Sequence, residues 1–82
     1  MSGAAPTAEA LLEYLIKSIV SDPDSVRIHS SGDERCVFSV TVADGDMGRV
    51  IGKRGRVANA IRTIVRAAAV ADDVQIDVDF VD

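Results

Sequence analysis

The spacing of apolar residues changes several times along this 82-residue chain. Among the features of the sequence, this pattern most restricts the folds that the chain can adopt. A helical spacing over residues 8–20 predicts an amphipathic first helix with Thr7 as its N-cap. Alternating apolar residues then predict two strands joined by a turn at Gly32-Asp33, and a third strand over residues 74–81. The chain is therefore expected to begin with a helix and a strand pair and to end with a strand.

The segment between the second and third predicted strands carries two more helices. The first is short, covers residues 47–51 and is predicted to be capped by Asp46, and the second runs from about residue 56 to residue 70. A helical crossover favours a parallel arrangement of the strands that it joins. The sequence therefore predicts an α+β fold of order α-β-β-α-α-β, with three helices on one face of a three-stranded mixed sheet. The residues of the longer helix predicted to face the sheet are Val57, Ala60, Ile61, Ile64 and Ala68.

The length of the chain allows one domain, which we assign to residues 8–82 behind a flexible tail of residues 1–7. Cys36 is the only cysteine, which excludes an internal disulfide and a zinc site built of several cysteines. No apolar run approaches the roughly 18 residues that span a bilayer, and the first residues lack the basic and apolar parts of a signal peptide. These features predict a cytoplasmic protein without a membrane partner.

Charge is divided unevenly along the chain, although its net value is −4. Residues 47–71 contain six basic residues and no acidic one, whereas the rest of the chain contains three basic and 13 acidic residues. Affinity for nucleic acid comes mostly from Lys and Arg on phosphates, so this one stretch suits such a partner despite the acidic remainder. The six basic residues are Arg49, Lys53, Arg54, Arg56, Arg62 and Arg66.

The loop Gly52-Lys53-Arg54-Gly55 between the two predicted helices has a composition suited to phosphate. Glycines without a Cβ let another backbone approach closely, and Lys53 and Arg54 place two positive charges at the tip. The start of the following helix adds unpaired amides and partial positive charge. Such a loop can hold a sugar-phosphate backbone without reading its sequence. The apolar Val50 and Ile51 directly before it are predicted to offer part of a floor for bases.

Other sites built from similar residues fail on spacing. A P-loop needs a glycine where Met47 stands, a dinucleotide-binding loop needs one at Val50, and a calcium loop needs a glutamate at Gly55. His29 and Cys36 fall on opposite faces of their strands, so they are not expected to form a catalytic pair. No catalytic residue, metal site or cofactor is therefore predicted, and the chain is not expected to be an enzyme.

The segment Val50-Ile51-Gly52-Lys53-Arg54-Gly55, in this order of elements, resembles the Gly-X-X-Gly signature of a type II KH domain. The resemblance covers roughly residues 8–81 and is closest to the KhpA family of small bacterial single-KH proteins, through residues 48–56 followed by Ala60-Ile61-Arg62. It implies a cytoplasmic RNA chaperone or post-transcriptional regulator that binds single-stranded RNA. It also implies that the chain forms a homodimer or pairs with a larger KH-containing protein of the KhpB type.

By this resemblance, the four loop residues form a backbone clamp and Ile51 forms part of the groove floor. Arg62 and Arg66 share one helix face. The alternative to RNA binding for these two residues is that they only keep the helix soluble or contact an acidic partner. For the whole chain, the alternative is a protein-interaction subunit that uses the KH fold to dimerise with an acidic partner. The candidate RNA-binding residues are Arg49, Ile51, Gly52, Lys53, Arg54, Gly55, Arg56 and Arg62.

Overall fold

The computed structural model describes residues 5–32 and 35–81, and it confirms the predicted order of helices and strands. Of the predicted turn between the first two strands, Gly32 is described and Asp33 lies outside the described residues. No helix within the described ranges is long and apolar enough to cross a membrane. The helices are α1 (Pro6–Ile19), α2 (Met47–Ile51) and α3 (Arg56–Ala69), and the strands are β1 (Arg27–Ser31), β2 (Arg35–Thr41) and β3 (Gln75–Phe80).

The sheet is mixed, as predicted, with strand order β1-β2-β3. β2 pairs antiparallel with β1, where Ser39 is opposite His29, and parallel with β3, where Phe38 is opposite Val78. The parallel strands are joined through α2 and α3, which supply the long crossover that such a pair needs. All three helices contribute buried residues to one core against the sheet.

The core is mainly aliphatic and includes Phe38, which is fully buried in the middle of β2. Burying a side chain of this size stabilises the fold by about 1.5–3 kcal/mol. Residues of β2 alternate between the core and the open face, so Cys36 is buried whereas His29 of the neighbouring strand is exposed on the opposite face. The predicted separation of these two side chains is confirmed. Burial raises the pKa of the Cys36 thiol, and the charge of Glu9 adds to this effect.

The face of α3 that packs on the sheet differs from the prediction. Ile61 is buried as predicted, but Ala60 is exposed and Ile64 is 46% exposed. Two apolar stripes that share Ile61 run along this helix, so the spacing of apolar residues could not choose between them. The observed stripe has an alanine at each end. Its other members are Ala58, Val65 and Ala69, while Val57 and Ala68 are half-buried.

The first helix begins earlier than predicted. Pro6 occupies its first turn and the fully buried Ala5 its N-cap position, so this part of the predicted tail is folded; residues 1–4 lie outside the described residues. Thr7 lies inside the helix and does not cap it. The cap comes instead from Asp72, whose carboxylate accepts hydrogen bonds from the amides of Thr7 at 3.2 Å and Ala8 at 3.0 Å.

We expect Asp72→Asn to destabilise the protein at neutral pH, because α1 would lose this distant cap. Burial works to raise the pKa of the Asp72 carboxyl, but the hydrogen bonds from Ala8 and Thr7 outweigh it and lower the pKa. The stabilisation is therefore complete above the usual Asp pKa of about 3.9 and is lost as the pH falls through the lower folded-state value. The thermal midpoint at pH 7 should fall by about 5 °C, and the variant should lose less stability than the wild type on acidification.

The neighbouring Asp73 provides a matched control for this variant. Asp73 has φ 55°, a conformation that asparagine also adopts readily, so Asp73→Asn should change the thermal midpoint by no more than about 2 °C. Circular dichroism melts of the wild type and both variants at pH 7 and at about pH 2.5 make the comparison. Equal melting temperatures for Asp72→Asn and the wild type at pH 7 would contradict the capping role.

Candidate nucleic-acid interface

The loop predicted to bind phosphate follows a helix of little more than one turn. Of the two predicted floor residues, Val50 is fully buried in the core and cannot contact a base, whereas Ile51 is half-buried beside the loop. The helix ends where the amide of Gly52 donates to the carbonyl of Gly48 at 2.9 Å. The first residue of the loop is thus hydrogen-bonded to a helix that is itself fixed in the core.

Gly52 turns the chain back onto the first turn of α3. It has φ 76° and ψ 174°, a conformation that residues with a Cβ rarely adopt. A Cβ at this position would lie 2.4 Å from Val57 Cγ2 and 2.9 Å from the backbone nitrogen of Val57. Two features therefore require glycine at this position: its dihedral angles and the close approach of Val57.

The rest of the loop forms a tight left-handed turn. Arg54 has φ 58° and ψ 25°, and Gly55 has φ 73° and ψ 13°. The turn is closed by the amide of Gly55, which donates to the carbonyl of Gly52 at 3.1 Å. Gly55 is also the N-cap of α3, and no side chain in the described part of the chain caps that helix. The amide of Arg56 donates to the carbonyl of Lys53, but no described side chain competes with an anion for the other amides in the first turn of α3.

The cations around the loop are exposed. Lys53, Arg54 and Arg56 lie on the surface, and no carboxylate of the described residues is within ion-pairing distance of them. Arg49 is 61% exposed, and its Nε lies 3.4 Å from Asp46 Oδ1. Four cations thus flank one uncapped helix start, and three of them are not neutralised by the described residues.

Arg62 is held away from this group by contacts with the sheet. Its Nε donates to the carbonyl of Val78 at 3.0 Å, and its Nη1 donates to Asn59 Oδ1 at 3.1 Å. Its guanidinium carbon lies 5.3 Å from the centre of the Phe80 ring, and the residue is half-buried. Arg62 therefore covers a backbone carbonyl of the edge strand β3. Its binding to RNA stays a prediction, and it would use the remaining N–H groups on Nη1 and Nη2.

Arg66 also lies in a different charge cluster. Its Nη2 is 3.4 Å from Asp77 Oδ1, and Arg35 Nη1 is 2.7 Å from the other carboxylate oxygen. The hydrogen bond from Arg35 is the main cause that lowers the pKa of Asp77; burial opposes it, and Arg66 adds to the lowering. The negative charge of Asp77 on β3 is thus partly neutralised by two arginines.

Asp46 is the residue of this region whose role the sequence did not indicate. It occupies the N-cap position of α2, but, contrary to the prediction, its side chain makes no capping hydrogen bond. Instead it is only 1% exposed and accepts hydrogen bonds from the amide and hydroxyl of Ser21 and from the amide of Asp22. An acidic residue in a predicted loop carries no signal that its donors lie about 25 residues earlier in the chain.

Comparison with known proteins points consistently to one family. A family model described as KhpA/KhpB, KH domain, matches residues 9–80, a range that contains the whole loop. The RNA-binding protein KhpA of Clostridium acetobutylicum is 43% identical over 72 residues, which cover 87% of this chain and 96% of that protein. The RNA-binding protein KhpA of Clostridium perfringens is 40% identical with the same coverage. That of Borreliella burgdorferi is 33% identical over 73 residues, or 88% of this chain and 89% of that protein.

Proposed function

The chain belongs to the family of KhpA and KhpB KH-domain proteins, and on this premise we propose that it binds single-stranded RNA through the Gly52–Gly55 loop. The observation that supports this proposal is the shape of the loop, in which two glycines with positive φ bracket Lys53 and Arg54 at the uncapped start of α3. A KH loop of this kind clamps the backbone of about four nucleotides. The matched relatives are themselves named RNA-binding proteins.

The proposed contact is with the sugar-phosphate backbone. Phosphate oxygens accept hydrogen bonds from the first amides of α3, where the helix dipole adds partial positive charge. Lys53 and Arg54 supply charge-assisted hydrogen bonds, and Arg49 and Arg56 extend the positive surface on either side. Backbone contacts carry no base information, so we expect weak sequence discrimination, with Ile51 giving apolar contact to a base.

We further propose that the chain acts together with a second KH domain. One groove for four nucleotides is small, and two linked grooves raise the overall affinity through effective concentration. The matching family model covers both KhpA and KhpB, so the second domain is either another copy of this chain or part of a larger protein of the KhpB type. The proposed role is that of an RNA chaperone or post-transcriptional regulator in the cytoplasm, without a catalytic step.

Salt dependence tests the phosphate clamp. If three or four phosphates are neutralised, the logarithm of the association constant should fall with the logarithm of the salt concentration at a slope of about −2 to −3. The measurement is a fluorescence-anisotropy titration of labelled single-stranded RNA between about 50 and 200 mM salt. A duplex of the same sequence should bind more weakly, because its bases are already paired and stacked. A slope near zero for the single strand would contradict the clamp.

A further inference from the structure

We propose that Asp46 is a positioning residue for the RNA clamp: its buried carboxylate fixes α2 against the turn that ends α1, and so sets the place of Gly52 and of Arg49. This inference rests on the proposed function, because it concerns the geometry of the same loop. Asp46 itself touches no RNA in this proposal. It acts through the short helix that carries the loop.

The burial of Asp46 shows that its carboxylate is a structural anchor. It is 1% exposed and is the only buried charged residue in the described part of the chain. One oxygen accepts from the amide of Ser21 at 3.0 Å and from its hydroxyl at 2.8 Å, and the other accepts from the amide of Asp22 at 3.1 Å. A buried carboxylate is tolerated only when donors replace its water, and three donors from one turn do so here.

α2 needs such an anchor because it has five residues, and a helix of this length has no stability of its own in water. The backbone carbonyl of Asp46 accepts the first hydrogen bonds of the helix, from the amides of Arg49 at 3.0 Å and Val50 at 3.3 Å. Asp46 therefore joins the helix through its main chain and the Ser21-Asp22 turn through its side chain. The fully buried Val50 provides a second attachment, to the core.

The same carboxylate also orients one of the candidate phosphate ligands. Arg49 Nε lies 3.4 Å from Asp46 Oδ1, while the Arg49 side chain remains 61% exposed. The ion pair restrains the guanidinium at one nitrogen and leaves most of the side chain in solvent beside the loop. The hydrogen bonds from the amide and hydroxyl of Ser21 are the largest effects that lower the pKa of Asp46, and they outweigh burial, so the carboxylate is charged at neutral pH.

The test compares Asp46→Asn with Asp72→Asn, which removes another carboxylate that accepts backbone hydrogen bonds but caps α1 rather than supporting the loop. Both proteins are first shown by circular dichroism to be fully folded at the titration temperature. We expect Asp46→Asn to bind single-stranded RNA about tenfold more weakly, because the asparagine amide group cannot accept all three hydrogen bonds. Asp72→Asn should bind within about twofold of the wild type, since its folded loop is unchanged.

Amide hydrogen exchange in the free protein gives a readout that needs no RNA. The amides of Gly52 and Gly55 are hydrogen-bonded within α2 and the loop. These two amides should exchange faster in Asp46→Asn than in Asp72→Asn, even after the exchange rates are corrected for the global stability of each variant. If the wild type binds no RNA but these amides behave as expected, the positioning role stands and the proposed function fails.

Two results would overturn the inference: Asp46→Asn binding RNA with wild-type affinity, or both variants losing affinity and amide protection equally. If Asp46→Asn does not fold, Ser21→Ala decides the question, because it removes only the hydroxyl donor and leaves the two backbone donors in place. A two- to threefold loss of RNA affinity, smaller than that of Asp46→Asn because two donors remain, together with faster exchange at Gly52 supports the proposal. Unchanged affinity and exchange in a folded Ser21→Ala protein reject it.

Discussion

Gly52→Ala is expected to abolish RNA binding by the loop and to destabilise the protein by roughly 3 kcal/mol or more. The added Cβ would lie 2.4 Å from Val57 Cγ2, and the backbone there cannot give way without moving the first turn of α3. The dihedral angles, φ 76° and ψ 174°, add a conformational cost that only glycine avoids. In the variant, either the loop or the start of α3 must therefore shift. The loop and the helix start can then no longer bind the same phosphate.

Gly48→Ala is the matched control for this variant. Gly48 lies in α2, four residues before Gly52, and a Cβ there would meet no atom within 4 Å apart from its chain neighbours and the backbone of its own helix. Alanine is favoured over glycine in a helix, so this variant should be as stable as the wild type or up to about 1 kcal/mol more stable, and should bind RNA normally. Urea unfolding and an RNA titration of both proteins make the comparison. Normal binding by Gly52→Ala would show that the observed loop conformation is not needed.

The parts of the fold that the sequence predicted are those with a strong local pattern. Strict alternation placed Cys36 and His29 on opposite faces of the sheet, because a strand has a side-chain period of two, and the structure buries Cys36 and exposes His29. The helical crossover between the last two strands also predicted their parallel pairing, which is observed between β2 and β3. The loop at Gly52–Gly55 was also predictable, since two glycines around two cations between helices are informative by themselves.

The parts that the sequence did not predict depend on contacts between distant residues. Asp72 caps α1 from 65 residues away, and the donors of Asp46 are 24 and 25 residues from it, so neither carboxylate has a local signature. Arg62 was assigned to the positive surface by its charge, but the carbonyl of Val78 lies within its reach only in the folded chain. On α3 both candidate stripes were apolar, and packing rather than spacing selected the one with Val65.

The structure also explains how an acidic chain can present a positive surface. Among its exposed cations, Lys17 is paired with Glu13, and Arg35 with Asp77. Lys53 and Arg54 have no such partner among the described residues. The net charge of −4 therefore coexists with a local positive field at the loop, and short-range contacts with phosphate are governed by that local field.

Charge reversal at the loop tip is expected to weaken RNA binding strongly while leaving the fold nearly unchanged. Lys53→Asp/Arg54→Asp replaces two exposed cations with anions, and each lost charge-assisted contact costs about 1.5–3 kcal/mol, so affinity should fall by about 100-fold or more. Arg54 has a positive φ, which aspartate tolerates better than most residues, so the loop can keep its shape. The matched control is Lys17→Asp/Arg27→Asp, which changes the net charge equally at exposed positions of α1 and β1.

The measurement that decides whether the Gly52–Gly55 loop is an RNA clamp is therefore one titration of labelled single-stranded RNA against three proteins. These are the wild type, Lys53→Asp/Arg54→Asp and Lys17→Asp/Arg27→Asp, each first shown to be folded by circular dichroism. We predict that the loop variant loses binding while the control, with the same net charge, stays within a few-fold of the wild type. Equal binding by the wild type and the loop variant would contradict the clamp and favour a protein-interaction subunit instead.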